Sequence, residues 1–385
     1  MKMVKAIFIK VFSFLILFHP VLSTESKESS IQKDDSTPVI IVGAGAAGLT
    51  PGYLLHQQGI QFKILEASTS FDGRMKRNTD FANFPIPLGA EWMHVEPTIL
   101  QHIVNDESVK IDIKTTKYGD DVETYYEGEE VNLSDFGMQD DRKFINSTWF
   151  DFFEQYIVPS ISEHIIYNAV VDTIDYTNQK IQVRTPTSSY TASNVVVTVP
   201  VSILKSGKIT FIPELPKYKR QAIKEVTVWE GGKVFIEFSK QFYPTLMSVE
   251  VKPEYSGEKL YFDAAYGQDT TQNILGVFAV GSAANPYADL DDEQLIEALL
   301  LEIDELSGGQ ATPNYIKHIY QNWSEEPFIK GAYVSDAESW QVIQRLGENV
   351  EQRLFFAGDA YTDGEDWGSV HAAVKSAKRV VNSMQ

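Results

Sequence analysis

The chain has 385 residues, 43% of them hydrophobic and 22% charged, which excludes a disordered protein and allows a large core spread over more than one domain. A formal net charge of −20 argues against nucleic acid as a partner; such a surface stays soluble, and its field suits a cationic small molecule. There is no cysteine, which excludes disulfides, cysteine-ligated metal and a thioether-linked cofactor. The seven histidines show no HxxxH or HExxH spacing, so no metal site is expected.

In chain order, Lys2 and Lys5 precede an apolar run over residues 11–18, followed by Pro20, Val21 and Ser23. This pattern predicts a signal peptide over 1–23, cleaved after Ser23. The run is short for a bilayer span, so the mature chain is expected to lack one and to be secreted or extracytoplasmic. Residues 24–37 read as a polar, disordered spacer.

Residues 39–74 carry the strongest local signal. Val39-Ile40-Ile41-Val42 is a β-branched apolar run and predicts a buried strand. It leads into Gly43-Ala44-Gly45-Ala46-Ala47-Gly48. Gly43 permits the tight turn, Gly45 lets backbone approach a pyrophosphate, and Gly48 lets the next helix lie close to the sheet. The helix N-terminus offers free N–H groups to phosphate. A second strand, Phe62-Lys63-Ile64-Leu65, ends at Glu66, 18 residues after Gly48, where a carboxylate can take a ribose hydroxyl. Pro51 falls inside the helix and is tolerable if it lies close to the first turn.

Farther along, residues 110–115 and 122–126 read as strands, and the aromatic segment 149–156 as a packed helix. Val170, Val171 and Ile174 precede a turn at 177–180, and residues 194–200 form a buried strand stopped by Pro200. Strands follow over 233–238, 260–265, 274–280 and 315–323. Asp291 or Asp292 caps a helix that buries Leu295, Ile296, Leu299, Leu300, Ile303 and Leu306 and ends at Gly308-Gly309. A strand over 353–357 and a helix from about Ser369 close the chain. This alternation predicts an α/β protein. A Rossmann-like dinucleotide domain (38–90, 161–206 and 340–385) is interleaved with a mixed-sheet and helix substrate domain (91–160 and 207–339).

Four motifs, in order, resemble the flavin-containing amine oxidases, the family of monoamine and polyamine oxidases. They are the fingerprint running on through Glu66-Ala67 to Gly73-Arg74, the run 195–223, Trp323-Ser324-Glu325-Glu326-Pro327 with Gly331-Ala332-Tyr333, and Phe356-Ala357-Gly358-Asp359 with Gly368-Ser369-Val370-His371. The resemblance implies non-covalent FAD, a cationic amine substrate and O2. It places the pyrophosphate on the first helix, the ribityl chain near Asp359, and the flavin ring at the N–H groups of Ser369 and Val370. It also sets Gly89, Ala90, Glu91, Trp92, Val170 and Trp323 along the cofactor. Lys233 matches the lysine that holds water at the reactive flavin nitrogen, and Tyr333 one wall of the aromatic cage. Ser369 falls where the opposite wall is often Tyr, with Trp367 as a substitute face. Glu91 and His94, in Gly89-Ala90-Glu91-Trp92-Met93-His94, resemble the polyamine oxidase motif and are expected to contact a polyamine nitrogen.

Three departures stand out. Asp72 replaces a glycine and sets a carboxylate near the pyrophosphate, to be offset by Arg74, Lys76 or Arg77. The region 95–160 is short for the family, and no arginine over 84–100 is available to grip an amino-acid carboxylate. The expected activity is oxidation of a polyamine through hydride transfer to flavin, with H2O2 formed on reoxidation. The alternatives are another flavin oxidase or desaturase of the same superfamily, or a flavin-binding remnant.

Overall fold

The apolar run Val39–Val42 forms a fully buried strand. It pairs in parallel with Phe62–Leu65 on one side and with Val195–Val197 on the other. Ile165–Ile166 and Leu354–Phe356 extend this sheet to five parallel strands. Near-continuous apolar strands of this kind need cover on both faces. One face is covered by the helix Ala46–Gln57, which packs on the last helix, Val370–Ser383. The other is covered by side chains that include Ile174, Val201, Ala222 and Leu346. The computed structural model describes residues 37–126, 128–249 and 256–384, less the side chains of 135 and 136. The expected signal peptide and residues 24–36 of the spacer lie outside the described residues.

The second large layer is a mixed seven-stranded sheet. Gly231–Phe238 lies between Tyr315–Asn322 and Asn273–Gly281, followed by Gly257–Asp263, Leu246–Ser248, Thr124–Tyr126 and Glu129–Glu130. The helix Asp292–Ser307 packs on this sheet through Leu295, Ile296, Leu299, Leu300 and Ile303. Asp291 caps it with a full capping box and Gly308 ends it in the left-handed conformation. Leu306, expected on the buried face, is 37% exposed. The helix ends one residue later, at Ser307.

Two further expectations need correction. The strand predicted over 110–115 begins only at Lys114 and runs to Lys117, paired with Arg142–Ile145; the alternation in 110–113 has no partner strand. Pro51 is the sixth residue of Ala46–Gln57, in the second turn rather than close to the first. It leaves the Ala47 carbonyl without its intrahelical donor. Beside it, the Thr50 hydroxyl donates to the Ala46 carbonyl at 2.7 Å.

Candidate functional site

One cavity of about 1040 Å³ runs from the end of the first strand to the start of the last helix. It is lined by Gly43, Gly45, Ala47, Glu66, Ala67, Gly73, Arg74, Gly89, Ala90, Glu91, Trp92, His94, Val170, Lys233, Trp323, Tyr333, Gly358, Asp359, Gly368, Ser369 and Val370. The fold therefore brings together every sequence-predicted site residue but one. The exception, Gly48, lies behind the wall, where a Cβ would collide with the Gly43 carbonyl and the Thr198 hydroxyl. Its part is the close helix–strand packing expected of it. Gly43 adopts a φ of 110°, which L side chains rarely reach.

The cradle at the fingerprint end fits a dinucleotide. Its volume is at the upper end of the roughly 300–1,000 Å³ usual for small-molecule sites. Glu66 closes the second strand, and its carboxylate accepts from Ala44 N–H at 2.6 Å and from Ser68 N–H at 2.8 Å. With the Ser68 hydroxyl donating to the same oxygen as the Ser68 N–H, these bonds fix its orientation and leave a lone pair on the other oxygen for a ribose hydroxyl. At the far end Ser369 caps the last helix by accepting from Ala372 N–H. The remaining first-turn N–H groups of Val370 and His371 have no intrahelical acceptor, the donors a flavin ring needs as negative charge develops on it. The Trp323 indole donates to the Leu88 carbonyl at 3.1 Å, and Ala90 N–H to Arg74 O at 2.9 Å, anchoring the loop between them.

The charges near the pyrophosphate are arranged differently from the expectation. Arg74 donates to Asp359 at 2.5 Å and to the Ala332 carbonyl. Lys76 pairs with Glu326 at 2.8 Å, and Arg77 with Asp151 and Glu154. Each of the three cations expected to offset Asp72 has another carboxylate partner, and Lys76 alone of the three still acts on Asp72. Burial pushes the Asp72 carboxyl up from its ordinary range, with Lys76 opposing and Glu66 adding to the rise. Arg74 instead clamps the fingerprint to Asp359, leaving one carboxylate oxygen of Asp359 for a ribityl hydroxyl.

Lys233 lies in the second strand of the large sheet, Gly231–Phe238, opposite Phe278 and Gln321. Its Nζ donates to Glu91 at 2.8 Å and lies 4.8 Å from the Trp92 ring centre and 5.8 Å from that of Phe278. Burial lowers its pKa; Glu91 opposes the shift and the Lys143 ammonium adds to it. The other Glu91 oxygen is 3.4 Å from Lys143 Nζ. Glu91 therefore stands between two lysines, and its oxygen nearer Lys143 accepts no hydrogen bond among the described residues. Lys143 stands in the charged stretch Asp140-Asp141-Arg142-Lys143, where no local pattern singles it out.

The cage around Tyr333 is rebuilt. Phe278 lies nearly parallel to Tyr333, 8° between planes with centres 6.4 Å apart, and Trp229 meets Tyr333 edge-on at 5.7 Å. Ser369 offers no ring, and Trp367, which lines the cavity, donates its indole N–H to Ser335 O. Only strand pairing reveals Phe278, since its sequence neighbourhood is an ordinary apolar strand. Around these rings stand carboxylates that the sequence did not single out. The Tyr333 hydroxyl donates to Glu258 at 3.2 Å, and Asp336 and Asp366 also line the cavity. Burial raises Glu258, Tyr333 lowers it by its hydrogen bond, and Asp336 raises it further. Burial, then Glu258, hold the Tyr333 phenol well above its ordinary value. His94 is exposed and bonded to Asp141 at 2.9 Å; His371 is bonded to Asp366 at 2.6 Å, with the two imidazoles 6.3 Å apart.

Comparison with known proteins agrees with this geometry. Residues 41–106 match the NAD(P)-binding Rossmann-like domain. The chain is 25% identical to human lysine-specific histone demethylase 2 over 88% of this chain and 52% of the relative. It is 28% identical to probable polyamine oxidase 4 of Arabidopsis thaliana over 48% of this chain and 37% of the relative. The chain thus spans about half or less of the curated relatives it matches. A solved structure of a putrescine oxidase variant superposes with a TM-score of 0.74 at 16% identity, covering 90% of this chain and 98% of that one, so the fold is shared. Residues 153–384, more than half of the chain, match the flavin containing amine oxidoreductases, and the chain belongs to that family.

Proposed function

We propose that the protein is an FAD-dependent amine oxidase acting on a polyamine. One observation carries the reading: the dinucleotide cradle and the Lys233–Tyr333–Glu258 wall line a single cavity. The chemistry that bound FAD supplies is acceptance of hydride from the carbon α to the amine nitrogen, with the electrons passed to O2 as H2O2 and the imine hydrolysed. The chain's own residues hold and orient the amine. Phe278 and Tyr333 give an apolar, π-faced passage that admits a neutral amine and attracts a cation, with Trp229 packed edge-on against Tyr333. Glu258, Asp336 and Asp366 face the cavity as counter-charges for ammonium groups farther along a polyamine. His94 and His371, each backed by a carboxylate, can take the proton an ammonium must lose first. Lys233, on the cavity wall, is assigned the water-holding role that the resemblance implies.

A second reading has the same site act on the N-methyl-lysine of a basic peptide, favoured by the long alignment with the histone demethylase. Peroxide release should be measured with spermine, spermidine, tyramine, L-amino acids and a dimethyl-lysine peptide. Turnover of spermine or spermidine well above the rest is expected. Silence with every amine despite bound FAD would overturn the proposal. We also propose export, supported by the pattern over residues 1–23; protein recovered from the medium should begin at Thr24.

A further inference from the structure

The buried pair Lys233–Glu91 is part of a triad. Side-chain exposures of Lys143, Glu91 and Lys233 are 3%, 2% and 4%. Three charges in such a place would leave a net positive charge with little solvent, an expensive arrangement. The two lysines are not equivalent. Lys143 Nζ donates to two acceptors, the carbonyls of Asp263 and Ala264, each at 2.9 Å, and stands 3.4 Å from Glu91 as an ion pair. Lys233 Nζ has one acceptor, Glu91, and otherwise meets the rings of Trp92, Phe262 and Phe278. Lys143 is therefore the better place for the charge that Glu91 neutralises. Behind the triad stand Asp263, near Lys143, and Tyr118, near Glu91 and bonded to Trp92.

We propose that Lys143 is a positioning residue that takes up the Glu91 charge and so makes Lys233, at the cavity wall, the lysine of the pair that gives up its proton first. A neutral Nζ still donates to Glu91 and presents a lone pair to the cavity, where it can accept a hydrogen bond from water. The catalytic use of that lone pair rests on the amine oxidase reading; the proton state of Lys233 does not.

The test is a pH titration of the Lys233 side chain by NMR of protein carrying 13C,15N-lysine, with the Lys233 signal assigned by its loss in Lys233→Met. The wild-type midpoint is expected below that of free lysine. Lys143→Gln, which keeps donors for the two carbonyls but removes the charge, should raise the midpoint by about one pH unit or more, about tenfold in proton affinity. Lys143→Arg should leave it near wild type, and Glu91→Gln should lower it. A purely structural Lys143 would change stability and leave the midpoint where it was, and that result overturns the proposal. Should Lys143→Gln fail to fold, a rise in Glu91→Gln or a shift of a unit in Lys143→Arg overturns it equally. The titration needs neither flavin nor turnover, so absence of amine oxidation would leave its outcome readable.

Discussion

Replacing Glu91 by Gln keeps the volume of the side chain and removes the carboxylate between two buried ammonium groups. Breaking a buried ion pair typically costs about 3–5 kcal/mol, because the remaining charge is left without compensation. Here the loss has a ceiling. Lys143 keeps the Asp263 and Ala264 carbonyls, whereas Lys233 loses its single anionic partner and escapes by shedding its proton. Neutralising a lysine of ordinary pKa, roughly 10.4, at pH 7.5 costs about 4 kcal/mol at about 1.4 kcal/mol per unit. The stability deficit of Glu91→Gln at pH 7.5 is therefore expected to be at most about 4 kcal/mol. Its pH dependence follows from linkage. The unfolded state binds the Lys233 proton and the folded variant does not, so raising the pH favours folding of the variant. Burial already lowers Lys233 in the wild type while Glu91 opposes the shift, so the gap closes once the wild-type lysine also deprotonates. Urea unfolding followed by tryptophan fluorescence at pH 7.5 and 9.5 should show the deficit narrowing by up to about 1.4 kcal/mol per pH unit. A deficit that is constant or grows with pH would refute the reasoning.

Three other outcomes are expected. Pro51→Ala restores an intrahelical donor in the first helix, and since proline costs about 3 kcal/mol in a helix interior, it should raise unfolding stability by about 1–3 kcal/mol; a loss of stability would show that the ring's packing outweighs the missing bond. Lys219 is buried, donates to the Leu346 carbonyl at 2.7 Å, and is lowered to about 7, chiefly by burial; the unfolded chain binds its proton more tightly, so wild-type stability should rise by about 2 kcal/mol from pH 7 to 9, a gain absent from Lys219→Met. Glu258→Gln should raise KM for a polyamine about tenfold, as for the loss of about 1.4 kcal/mol of binding, with kcat little changed; an equal fall in kcat at unchanged KM would place Glu258 in the chemical step instead.

Much of the fold was legible because its signals are local. The fingerprint Gly43–Gly48, the strand Val39–Val42, the capped helix Asp292–Ser307 and the last helix after Ser369 each announce themselves by turn residues, apolar period or caps. The cradle followed from motifs in sequence order. What was not legible depends on pairing between distant segments. Phe278 reaches the site because Gly231–Phe238 pairs with Asn273–Gly281 and sets it opposite Lys233, while Tyr333 is held beside it by the Trp229 N–H. Lys143 reaches Glu91 from a short strand whose charged neighbours point to solvent in any local reading. The commitment of Arg74 to Asp359, 285 positions away, is likewise beyond local pattern. Pro51 shows the reverse, a clear local rule against helix interiors that tertiary packing overrides.

The central claim, that one cavity joins a flavin cradle to an amine-binding wall, is tested most directly by the visible spectrum of the purified protein under anaerobic conditions. The account predicts flavin bands that bleach on addition of spermine or spermidine and return when air is admitted. A yellow protein whose bands stay unchanged with every amine, or a protein that cannot be loaded with FAD, would contradict it.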